Sequence, residues 1–132
     1  MSYGLAYDSN DGRALAGAIT SIMTGHAYEQ SAEIASILGP FQGYRDSRCA
    51  GVKQPARPDN VDSMLGVIAL HRESVDHIQP SREFAALKDE ARSTWDRAYE
   101  LGRTHGYRNA QVTVLAPTGT IAFLMEIGRA HV

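Results

Sequence analysis

Cysteine is nearly missing from this sequence. Cys49 stands alone, which excludes an intrachain disulfide and a cysteine-rich metal site and fits a reducing compartment. Long apolar runs are missing too. No stretch approaches the roughly 20 residues that cross a bilayer, and the first residues have neither the basic nor the apolar section of a secretory leader, so a cytoplasmic protein is expected. Charge of one sign is not in excess, with 13 Lys and Arg against 15 Asp and Glu for a net −2. That balance excludes the broad basic face of a protein that follows a nucleic-acid polymer or an anionic membrane. Any bound phosphate must therefore be held locally. The histidines His26, His71, His77, His105 and His131 show no His-Glu-x-x-His or close Cys/His spacing, so no metal site is expected. Internal repeats are absent.

What remains is ordinary globular material: 132 residues, 43% apolar and 21% charged, enough for one domain if its elements find partners. The run Asp8-Ser9-Asn10-Asp11-Gly12 offers side chains that cap the unpaired amides of a helix start. Leu15, Ala18, Ile19, Ile22 and Met23 then recur at helical spacing, and Thr24-Gly25 is read as a break. A second helix is expected from about Ala27 to Leu38, stopped by Gly39-Pro40. Phe41 to Asn60, rich in Gly and Pro, reads as an exposed loop. A third helix is expected over about Val61 to His77, ending ahead of Pro80. The clearest amphipathic helix follows, with Ser81 as its cap and Phe84, Leu87, Ala91, Trp95, Ala98 and Leu101 on one face. On that helix Trp95 and Tyr99 are expected in the core rather than in a stacking site.

The period then shortens. Ala110, Val112 and Val114 alternate with Gln111, Thr113 and Leu115, which predicts a strand from Asn109 to Leu115. Pro117-Thr118-Gly119-Thr120 makes a turn into a new apolar element starting at Ile121. The expected class is α/β: a mostly helical segment with one recognisable strand. A lone strand leaves its backbone groups without ladder partners, so further strands are expected outside this sequence.

The strand-to-helix turn is the candidate site. The first amides of a helix have no intrahelical partner and converge on an anion. Gly119 allows close backbone approach, Thr118 and Thr120 add hydroxyls, and Pro117 stiffens the entry. On spacing alone, an ordinary capped helix accounts for the same residues. The turn lacks the lysine of a Walker loop and the three glycines of a dinucleotide fold.

The run from Arg108 to Ile121, Arg-Asn-Ala-Gln-Val-Thr-Val-Leu-Ala-Pro-Thr-Gly-Thr-Ile, resembles the vitamin B12-dependent (class II) ribonucleotide reductase family. So do Tyr7-Asp8-Ser9, the block Gly12 to Thr20, Met23-Thr24-Gly25, Ala27-Tyr28, Ser31 to Ala35 and Leu38-Gly39-Pro40-Phe41, in the same order. The resemblance implies part of a ten-stranded α/β barrel, here residues 1–125. It assigns substrate-phosphate binding to Pro117, Thr118, Gly119, Thr120 and Ile121, mostly through backbone amides. It implies adenosylcobalamin as cofactor, a ribonucleotide as substrate, a dithiol reductant such as thioredoxin as partner, and allows a homodimer. The family's radical cysteine lies in an Asn-x-Cys-x-Glu motif that this sequence does not contain. No catalytic residue is therefore assigned, and Cys49 reads as an incidental thiol.

Two stretches depart from the family pattern. Residues 48–60 read as a divergent surface loop, which costs little in closure entropy. Residues 126–132, Glu-Ile-Gly-Arg-Ala-His-Val, stand where the family has Asp-Cys-Asp-Thr-Thr-Gly. They resemble a translated sequencing adapter and are expected to be a non-native tail. Two other functions compete with the reductase reading: a different α/β-barrel enzyme holding a phosphorylated metabolite, and a nonenzymatic helical interaction module.

Overall fold

Helix periodicity dominates the chain, and helices are what it forms. The computed structural model describes residues 4–6, 8–44, 60–80, 82–114 and 120–121. It contains α1 (Asn10–Leu38), α2 (Asn60–Ser74) and α3 (Ala85–His105), with short 3₁₀ turns at Val75–His77 and Arg82–Phe84. Among the described residues no helix is long and apolar enough to cross a membrane.

Ser9 begins α1 as its sequence suggests: its Oγ accepts from the Gly12 amide at 3.0 Å. Asp8 pairs with Arg13 instead of capping. The expected break at Thr24-Gly25 does not occur, and one 29-residue helix replaces two. The buried stripe Leu15, Ala18, Gly25, Tyr28, Ala32 and Ala35 runs straight through that point. Glycine inside a helix costs about 1 kcal/mol relative to alanine, but here it lets α1 approach α3. A Cβ at Gly25 would stand 2.8 Å from Thr94 Cγ2. Of the residues that recur at helical spacing, Leu15 and Ala18 are buried, whereas Ile19 and Met23 are 50% and 57% exposed.

α2 and α3 form an antiparallel pair, shown by links that descend along one as they ascend the other. Arg72 Nε donates to Asp96 at 2.8 Å, and one helix turn further on Arg92 pairs with Asp76. Lys88 Nζ closes the connection by donating to the Ile78 carbonyl at 2.7 Å. The amphipathic face expected for α3 is the observed one. Phe84, Ala91, Trp95 and Ala98 are buried, and Leu101 and Tyr99 pack against the same cluster. Phe84, not the serine at position 81, occupies the N-cap position of α3; Ser81 lies outside the described residues.

The start of the supposed exposed loop is partly buried, with Gln42 exposed and Tyr44 enclosed. Gly39 and Gly43 take positive φ, and the chain folds back so that the Phe41 amide donates to the Tyr107 carbonyl at 2.9 Å. Tyr44 is 2% exposed, with its ring 5.2 Å from Phe41 and 6.3 Å from Tyr107. Positions 45–59, which include Cys49 and most of the divergent loop, lie outside the described residues.

The strand expected over Asn109 to Leu115 is likewise corrected. Residues 109–114 are not in a strand, and no strand exists among the described residues; Leu115 lies outside them. Their neighbours are hydroxyl groups of α1, which bond single points and cannot supply the repeating ladder that makes a strand.

Candidate functional site

The segment that enters the candidate loop starts from a tightly packed corner. Gly106 ends α3 with φ 78°, and Tyr107 turns inward to complete burial, its hydroxyl donating to the Ala98 carbonyl at 2.9 Å. That burial pushes the Tyr107 phenol well above its usual range, so it stays protonated as a donor. Gly102 makes room for the ring, because a Cβ there would fall 2.0 Å from Tyr107 Cζ.

Residues 108–113 then lie along α1. The Arg108 amide donates to the Ser31 carbonyl at 3.0 Å and the Asn109 amide to Ser31 Oγ at 2.9 Å. Ser31 Oγ donates in turn to Asn109 Oδ1 at 3.2 Å. Tyr28 Oη reaches the Ala110 carbonyl at 3.5 Å, and the Thr24 and Thr113 hydroxyls meet at 3.4 Å. The Arg108 side chain points back to the Gly39 and Pro40 carbonyls, 3.4 and 3.3 Å away. There it serves the C-terminal end of α1, where a cation is favoured. Arg108 and Asn109 thus pin the connection between helix and segment.

Of the five phosphate-binding residues expected from the sequence, Thr120 and Ile121 are described. Both have helical backbone and are exposed, Ile121 at 62%. Pro117, Thr118 and Gly119 lie outside the described residues, as does the tail 126–132.

Beside the segment is a cleft of about 670 Å³, lined by Gly17, Thr20, Ser21 and Thr24 of α1, by His71 and Trp95, and by Gln111, Thr113 and Val114. Sequence reasoning missed it, because its walls come from residues as far apart as Ala16 and Val114. Trp95 Nε1 donates to Ser21 Oγ at 2.9 Å, and the His71 ring stacks on the indole with centroids 5.0 Å apart and planes 5° apart. His26 is shared between carboxylates, with Nδ1 3.0 Å from Glu29 and Nε2 3.7 Å from Glu90. Arg97 bonds the same two acids. These are cross-links between α1 and α3. Among the described residues no group of three His, Cys, Asp or Glu side chains could hold a metal ion.

The family model described as "Ribonucleotide reductase, barrel domain" matches residues 1–130. A vitamin B12-dependent ribonucleotide reductase of Rhodopirellula baltica is 42% identical over 126 residues, covering 96% of this chain and 11% of that protein. Proteins with the same name from Bradyrhizobium diazoefficiens and Agrobacterium fabrum are 43% and 41% identical, with 96% of this chain and 10% of each relative covered. The chain thus spans about a tenth of the length of these relatives.

Proposed function

We propose, since this chain belongs to the ribonucleotide reductase barrel-domain family, that it is a section of the catalytic barrel of a vitamin B12-dependent reductase. The parent enzyme replaces the 2′-hydroxyl of a ribonucleoside di- or triphosphate by hydrogen, and this section holds the substrate's phosphates at Pro117, Thr118, Gly119, Thr120 and Ile121. The observation that carries the reading is the seating of residues 108–113 on α1 through Ser31, Tyr28 and Thr24. It fixes on α1 the segment that precedes the Pro-Thr-Gly-Thr-Ile sequence. The names of the relatives support the cobalamin class.

The chemistry assigned to this section is binding. Amides at a helix start present partial positive charge to phosphate oxygens without needing lysine or arginine, which fits a chain with no basic patch. Pro117 and Gly119 would shape that start, and the two threonine hydroxyls would add donors. No cobalamin contact is assigned to the described residues. Adenosylcobalamin would supply radical initiation in the proposed parent. The ten-stranded barrel, the dithiol reductant such as thioredoxin, a homodimer and a cytoplasmic setting are proposed for that whole enzyme.

The test is Gly119→Val in the full-length reductase. Blocking phosphate approach should weaken ribonucleotide affinity tenfold or more, about the worth of one charge-assisted hydrogen bond. Unchanged nucleotide affinity together with unchanged turnover would remove the phosphate role.

A further inference from the structure

We infer that α1 carries a second packing face besides the one it turns to α3, and that a helix of the longer parent enzyme, apolar along the contact, covers it. The inference rests on the reading of this chain as a section of that enzyme.

The face follows from spacing. Ala16, Thr20, Met23, Ala27, Gln30 and Ile34 stand four and three positions apart in turn, and Ile37 continues the series. Residues at that spacing share one side of a helix. None of them belongs to the buried stripe of α1. Met23 is 57% exposed, Ile34 41% and Ile37 82%, and Ile19 and Leu38, at 50% and 66%, widen the same side. From Ala14 to Leu38 the acidic and basic residues other than His26 are Glu29 and Glu33. Glu29 pairs with Arg97 of α3, and Glu33 accepts from Gln30 Nε2 at 2.6 Å, which satisfies the polar end of Gln30. The row therefore carries no charge of its own. A helix that is apolar on two sides is one that packs on two sides.

Length and chemistry say what covers it. One domain model matches residues 1–130, and the chain spans about a tenth of its relatives, so the same polypeptide has far more mass to lay on α1 than this chain contains. Being tethered, that polypeptide has the advantage of effective concentration over a second copy. An uncharged row offers nothing to pair with a buried charge, so the covering side is apolar. The spacing favours a helix over a strand. Thr20 and Ala27, both small, flank Met23 in the row and leave hollows that take the ridge of a helix lying about 20° from α1. Along one side of a helix, side chains recur about every 5 Å, the interval of the row itself, whereas one face of a strand presents them about every 7 Å. Ala16, Thr20 and Met23 also line the cleft, so the covering helix runs over that wall of it.

The experiment uses the full-length reductase. Met23 is oxidised with dilute peroxide in the native and in the urea-unfolded protein, and the sulfoxide at that position is followed by mass spectrometry. Cover should slow the native reaction at least about tenfold, because oxidation of methionine follows its exposure. A benzophenone amino acid then replaces Met23 and, in a second variant, Ile34, and the photochemical cross-links are mapped. The two positions are 11 residues apart, roughly 16 Å along α1. Their cross-links should fall within the same polypeptide, on one segment, at points roughly 11 residues apart. Points roughly five residues apart would identify a strand, and cross-links that join two copies would identify a dimer contact; either overturns the inference. So would oxidation of Met23 as fast in the native as in the unfolded protein, or no cross-link from either position. Should the substituted proteins fail to fold, the oxidation of the unaltered enzyme decides the matter. Ribonucleotide turnover by the same preparation tests the reductase reading separately. Its absence beside the expected cross-links would defeat that reading and leave the packing face standing.

Discussion

Gly102→Ala should be one of the most damaging single-methyl changes in this chain. The added Cβ would lie 2.0 Å from both Cζ and Oη of Tyr107 and 2.5 Å from Cε2, so the ring must leave its place. Forcing one extra carbon into a filled core costs about 1–3 kcal/mol. The Tyr107 hydroxyl, which donates to Ala98 at 2.9 Å in a fully buried setting, would lose its acceptor at a cost of about 1–3 kcal/mol. Alanine returns about 1 kcal/mol through better helix propensity, leaving a net loss of about 3 kcal/mol. The damage spreads, because the Tyr107 carbonyl also accepts from Phe41 and Tyr107 begins the segment leading to the candidate loop. The assay is amide hydrogen exchange across residues 98–110 in the full-length protein. A local loss of that size speeds exchange on the order of a hundredfold. A Tyr107→Leu background removes the colliding atoms, and there the alanine should cost nothing further. Protection in Gly102→Ala equal to or above that of the parent would refute the reasoning.

Ser21→Ala should cost about 1–2 kcal/mol, because it leaves the Trp95 indole N–H without the Ser21 acceptor. Replacing Ser21 by threonine, which keeps the oxygen, should recover most of the loss in thermal unfolding, and an equal loss in both variants would argue against the bond. The acid limb of stability should depend on two carboxylates. The hydrogen bond from Arg92 holds the Asp76 carboxyl below its ordinary value of 3.8, and that from Arg97 holds Glu90 below 4.5. A depressed folded-state pKa gives stability that is present above the ordinary value and lost as pH falls through the lowered one. Helix content should therefore decline below about pH 4, more gently in Asp76→Asn and Glu90→Gln, and the difference should shrink in high salt because both groups are half-exposed. Acid midpoints identical to the parent's in both variants would contradict this. The Gly119→Val experiment completes the set.

The elements that read well from sequence are those whose signal is local. α3 shows its face because Phe84, Ala91, Trp95 and Ala98 repeat at helical spacing, and Ser9 marks the start of α1 because a cap acts within one turn. Where the reading failed, the deciding partner was distant. Thr24-Gly25 looks like a helix break until Thr94 and Trp95 are seen against it. Phe41 to Tyr44 looks like exposed loop until Tyr107 is seen to receive it. The alternation from Ala110 to Leu115 has the period of a strand, but a strand also needs a second chain beside it. The described residues supply a helix there instead.

The sequence by itself determined the family, through two separated blocks, and it determined the cap that starts α1 and the buried face of α3. Both follow from residue order over a few positions, which needs no knowledge of the rest of the chain. The tertiary structure alone decided that α1 is continuous, that Gly25 and Gly102 are sites of close approach, and that Ser31, Tyr28 and Thr24 form one line under the segment entering the loop. Apart from the approach of Tyr107 to Gly102, those facts depend on atoms brought together across some 70 to 90 positions of chain. A single hydroxyl such as that of Thr24 shows nothing of this until its partner is in place.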